Sequence, residues 1–170
     1  MNRKEPKALG VNNIKKIRLS LFTILCNATG VYRGTVAKNK KTKFQEKAGS
    51  IIVELIDKID NDKLTNRDVR DAIEKLGKES GVGASQKVIN VYLKFYCAIK
   101  ANTNPTIMEK LDCPIDSLVR KDNGLPNISI KSMKFAGYVK DQDILEEKYG
   151  IRIMADIRAY DEAKIKFYKT

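Results

Sequence analysis

Lys87, Asn90 and Lys94 mark one narrow stripe along an otherwise apolar run that continues from Val88 to Ile99. At about 100° per residue, a helix puts these three side chains on the same face. Val88, Val91, Tyr92, Phe95 and Ile99 cover one flank of the stripe, and Ile89, Leu93, Tyr96 and Cys97 cover most of the rest. A helix this apolar is normally buried, and an unpaired amine on it is costly to desolvate. Two carboxylates follow in Asp112-Cys-Pro-Ile-Asp116. Lys87 suits covalent chemistry, because desolvation on an apolar helix and the like charge of Lys94 favour its neutral, nucleophilic form. Lys87 and Asp116 are the candidate catalytic pair. The same pair also suits a structural salt bridge, with Asp116 capping a helix that restarts after Pro114. The stripe is either a satisfied network or the wall of a site.

The run Ser80-Gly-Val-Gly-Ala-Ser-Gln-Lys87 introduces this helix. Glycines at 81 and 83 let the backbone approach a ligand closely, and free amides at the next helix N-terminus point at an anion. Ser85 adds a hydroxyl, and Gln86, Asn90 and Lys94 add polar groups nearby. The pattern predicts a helix–hairpin–helix element at about 66–100, with phosphate as its natural ligand. A tight turn between packed helices gives the same sequence.

Charge points the same way. The chain carries a net +12, and residues 1–50 hold twelve Lys or Arg against only Glu5 and Glu46, leaving just +2 for residues 51–170. Such asymmetry implies a polyanionic partner, nucleic acid first and DNA before RNA. Lys38, Lys40, Lys41 and Lys43 are candidate phosphate contacts of the sequence-independent kind. A lysine-rich solvated loop is the plain alternative.

What the chain lacks is equally informative. It has no histidine, which removes His-based triads, His-containing zinc sites and imidazole bases. Cys26, Cys97 and Cys113 are widely spaced in apolar surroundings and read as reduced thiols, so no metal site and no cofactor are expected. The apolar run from Leu19 to Cys26 is too short to span a bilayer, and no apolar signal segment follows Met1. The expectation is a cytoplasmic protein with no membrane partner.

The elements that must position these residues read as helices throughout. Residues 1–10 form a flexible basic arm, and 11–170 a single all-α domain of several helices. Asn12 or Asn13 caps a first helix ending at Thr29-Gly30. A second runs from about Phe44 to Ile59, and Thr65-Asn-Arg-Asp68 is a capping box opening a third. Pro114 suits the first turn of a short helix through Leu118, and 122–127 is a loop. A helix covers Asp141 to Tyr149. Residues 151–167 fit strand or helix, and helix is preferred because a lone strand has nothing to pair with.

Lys87-Val-Ile-Asn-Val-Tyr-Leu-Lys94 followed by Cys113-Pro-Ile-Asp116 resembles the lysine and aspartate of the helix–hairpin–helix DNA glycosylase superfamily, and the archaeal 8-oxoguanine glycosylases within it. That resemblance implies Lys87 as a Schiff-base nucleophile at the sugar C1′, Asp116 as its electrostatic partner, and a flipped base beside the stripe. The words Gln-Lys-x-x-Asn-x-Tyr-Leu-Lys and Cys-Pro-x-Asp also resemble a group of small bacterial and phage proteins of unassigned function, over roughly residues 80–165. Three readings follow: a base-excision glycosylase or AP lyase; a non-catalytic nucleic-acid or nucleotide binder of phage or mobile-element origin; or a protein adaptor in which the stripe is only structural. A metal-nuclease motif, Pro114-x-Asp116 with Glu146-Glu-Lys148, is disfavoured because Glu146 and Lys148 fall in a helical pattern.

Overall fold

Apolar side chains recurring every three or four residues bury one face of each helix, and the computed structural model is accordingly all-α. It describes residue 20, residues 41–100 and residues 105–168, the side chains of 99–100, 105 and 162–168 excepted. In chain order come α1 (Lys41–Asp60), α2 (Asn66–Ser80), α3 (Val82–Lys100), a 3₁₀ turn (Pro105–Lys110), α4 (Ser117–Asn123), a second 3₁₀ turn (Ile130–Ser132), α5 (Phe135–Tyr149) and α6 (Met154–Tyr168). No strand occurs among the described residues. The expected arm, the first helix apart from residue 20, Cys26 and the lysines at 38 and 40 lie outside them.

Helix α1 buries Phe44, Ala48, Ile51, Ile52, Leu55, Ile56 and Ile59, a single apolar stripe. The capping box opens α2 as its sequence requires: Asp68 N donates to Thr65 Oγ1 (3.2 Å), and Thr65 N donates to Asp68 Oδ2 (2.9 Å). Val69, Ala72, Ile73 and Leu76 then face inward. One residue, Gly81 with φ +83°, joins α2 to α3, and the two helices make the most extensive contact among the described elements. A side chain is strained at that φ, so glycine permits so short a junction. Gly83 has a different role. The backbone carbonyl of Ile130 packs where its Cβ would stand.

At the centre runs Leu111–Asp116, fully buried yet neither helix nor strand. Buried backbone must be hydrogen-bonded, and here side chains do it. Gln142 accepts from Cys113 N (2.8 Å) and donates to Cys113 O (2.7 Å), while Gln86 accepts from Ile115 N (3.0 Å) and donates to Ile115 O (2.7 Å). Each glutamine amide thus stands in for a neighbouring strand. Arg152 Nε adds a bond to Leu111 O (3.2 Å), and Asn90 Nδ2 one to Cys113 O (3.3 Å). Within the segment Asp112 is a buried keystone that accepts from Asn66, Arg70 and Tyr138 and pairs with Arg152 at 2.9 Å.

The segment displaces one expected boundary. Pro114 lies in this irregular segment, not in a helical first turn; α4 starts at Ser117 behind its N-cap Asp116 and runs to Asn123, and Gly124 closes it in the left-handed region. The loop therefore begins later than 122. Helix α5 starts earlier than Asp141, at Phe135. Residues 154–168 are helical.

Candidate functional site

Three elements converge on one half-open pocket of about 510 Å³. Helix α3 contributes Lys87, Val91, Lys94, Phe95 and Ala98, the clamped segment Pro114 and Asp116, and α6 Asp156, Ile157, Tyr160 and Asp161, with Met108 at one end. The α3 residues are those of the polar stripe and its near flank, a turn apart along one face. Glutamine clamping of 113–115 fixes the position of Asp116 against that face.

Lys87 Nζ stands 3.7 Å from Asp116 Oδ2, and its side chain keeps 21% of its exposure. Oδ1 of Asp116 caps α4, accepting from Leu118 N (3.0 Å) and Val119 N (3.1 Å). Oδ2 accepts from Tyr160 OH at 2.6 Å. The carboxylate therefore meets four donors, two from backbone, one phenol and one ammonium. Partial burial pushes the Tyr160 hydroxyl above its ordinary pKa, and its bond to Asp116 and the nearby Asp156 charge push it further, so it keeps its proton.

Deeper in, Lys94 Nζ pairs with Asp156 Oδ2 at 2.5 Å. Burial raises the Asp156 carboxyl above its usual value; Lys94 opposes the rise without cancelling it. The Lys94 ammonium lies 5.1 Å from the Phe95 ring centroid and 5.8 Å from that of Tyr160, distances at which a cation is attracted to a ring face. Phe95 and Tyr160 are two of the three large hydrophobic side chains exposed among the described residues, and both border this pocket. Cys113 sits buried behind Asp156, its thiol pushed up by burial.

The remaining sequence candidates fall in several places. Gln86 and Asn90 are interior, and their amide groups bond to the segment backbone, Asn90 also donating to Tyr138 OH (2.9 Å). Ser85 is buried, its hydroxyl donating to Gly81 O at 2.9 Å. Gly81 is exposed, whereas Gly83 is buried under Ile130. Lys41 and Lys43 open α1 and do not line the pocket. Asp112 turns away into its arginine network, so only one of the two carboxylates flanking Cys113-Pro-Ile reaches the site. Glu146 lies on α5 and pairs with Arg152 (2.7 Å), and Lys148 donates to Asn123 Oδ1 (3.2 Å), an arrangement unlike a nuclease metal site. Among the described residues no group of three or more His, Cys, Asp or Glu is placed to hold a metal ion, and no helix is long and apolar enough to cross a membrane.

Sequence reasoning missed Asp156 and Tyr160. They are four apart, hence on one face of α6, and the helical reading of 151–167 carried that signal. Gln142 and Arg152 gave no signal, because a clamp on irregular backbone has no periodicity. No family model, curated protein or solved structure matches the chain.

Proposed function

We propose that the chain is a DNA-directed enzyme of the base-excision type, a glycosylase or AP lyase in which Lys87 is the nucleophile and Asp116 its charge partner. The observation that carries this reading is the Lys87–Asp116 pair, 3.7 Å apart at the edge of a pocket of about 510 Å³. On this reading Lys87 Nζ, which reaches solvent at the pocket edge, gives up a proton to water and forms a bond to C1′ of the deoxyribose. At an abasic aldehyde, loss of water then leaves an imine; with a base present, the base departs with the C1′–N bond electrons. Asp116 offsets the positive charge that develops on the sugar. The rings of Phe95 and Tyr160 give an extruded base a stacking surface, and the Lys94–Asp156 pair presents a donor and an acceptor to its edge. The exposed junction at Gly81 and the lysines between 38 and 43 would hold the strand.

Borohydride reduction in the presence of abasic DNA tests it. The wild-type protein is expected to give a covalent adduct, and Lys87→Ala none, with the variant's melting behaviour preserved because Lys87 lies at the pocket edge. Trapping that survives in Lys87→Ala would falsify the assignment.

A second reading, a non-catalytic nucleic-acid or nucleotide binder, is favoured by the pairing of both pocket lysines with aspartates. It predicts saturable, salt-sensitive binding with no adduct from the wild-type protein.

A further inference from the structure

Asp116 has two oxygens and neither is free. Oδ1 is committed to the backbone amides that start α4. Oδ2, the oxygen facing the pocket, takes the Tyr160 hydroxyl at 2.6 Å as well as the Lys87 ammonium at 3.7 Å. An oxygen lone pair that already accepts a hydrogen bond is not open to a proton arriving from carbon. The shortest and most directed bond to Oδ2 comes from a residue on another helix, and its hydroxyl keeps its proton under burial and the neighbouring Asp116 and Asp156 charges.

We propose that Tyr160 is a positioning residue that holds Asp116 as a fixed negative charge and denies it the role of base, so that the site forms the imine readily and cleaves the strand slowly. This inference rests on the Lys87–Asp116 reading above. The two steps ask different things of the carboxylate. Imine formation joins Lys87 Nζ to C1′ and releases water, and Asp116 need only stabilise charge. Strand cleavage by β-elimination needs a base to take the C2′ proton. The C2′–H electrons then form the new carbon–carbon double bond, the C3′–O bond breaks, and the 3′ phosphate leaves with that electron pair. An Oδ2 already bonded to Tyr160 is poorly placed to take that proton.

Tyr160→Phe removes the hydroxyl alone and keeps the ring beside Lys94. On DNA with a single abasic site, two quantities are read in single turnovers: borohydride-trapped adduct and spontaneously cleaved strand. The ratio of cleaved to trapped DNA is expected to rise roughly ten- to a hundredfold in Tyr160→Phe, the effect of withdrawing one hydrogen bond from a charged group. The rise should vanish when Tyr160→Phe is combined with Asp116→Asn, which a merely structural effect of the tyrosine would not produce. An unchanged or lower ratio, or a rise that persists without the Asp116 carboxylate, overturns the proposal. Absence of any adduct from the wild-type protein overturns the Lys87 assignment and this inference together, whereas an adduct with an unchanged ratio removes only the role of Tyr160.

Discussion

Asp116 and Asp156 lie in the same pocket, yet their surroundings treat them differently. Asp116 sits at a helix start, and two of its four donors are backbone amides. Asp156 is nearly enclosed, and burial outweighs the Lys94 bond to lift its carboxyl above the ordinary value of 3.8. The linkage sign follows. A carboxyl with a raised native pKa binds its proton more tightly in the folded state, so its contribution is fully present below pH 3.8 and is lost as pH rises through the native value. Asp68 shows the opposite sign. Burial pushes it up, but bonds from Lys58 and Thr65 win and hold it below 3.8, so its contribution is present above that pH and lost on acidification. Thermal melting followed from pH 3 to pH 7 in Asp156→Asn should therefore lack a wild-type component that declines above about pH 3.8. Identical profiles would show that Lys94 fully compensates the burial of Asp156.

At the scale of elements, two glycines with the same appearance in sequence do different work. Gly81 meets no neighbouring atom where a Cβ would be added and is constrained only by its positive φ, whereas Gly83 is constrained by the Ile130 backbone. Gly81→Ala should cost about 1–2 kcal/mol through backbone strain. Gly83→Ala must push back the 3₁₀ turn at Ile130–Ser132 and should cost more, about 3 kcal/mol, as overpacking does. Urea unfolding midpoints of the two variants compare them directly; a larger loss at Gly81 would contradict the packing described. The same comparison shows what local sequence can carry. Thr65-x-x-Asp68 gave the start of α2 because a capping box is closed within four residues. Pro114 misled about the start of α4 because the surrounding backbone takes its hydrogen bonds from Gln86 and Gln142, residues far away along the chain. The stripe of Lys87, Asn90 and Lys94 was legible from spacing. That Asn90 turns inward while the two lysines reach a pocket was not.

Across the whole molecule, the charge asymmetry makes its own prediction. If the basic segment engages a polyanion, replacing Lys38, Lys40, Lys41 and Lys43 by glutamine should flatten the dependence of log affinity on log salt by about 3–4 units for duplex DNA, since each released counterion contributes close to one. A slope unchanged in that variant would place the contacts elsewhere on the surface. Sequence alone determined the helical class, the net charge, the absence of imidazole chemistry and the amine stripe on α3. Each is set by composition or by neighbours within a few turns. The tertiary structure decided that Asp116 and not Asp112 meets Lys87, that Asp156 and Tyr160 complete the pocket, and that Gln86 and Asn90 serve the interior. The physical reason is that Leu111–Asp116 has no periodic structure of its own: its path is set by side chains from α3, α5 and the turn before α6, which only folding brings together.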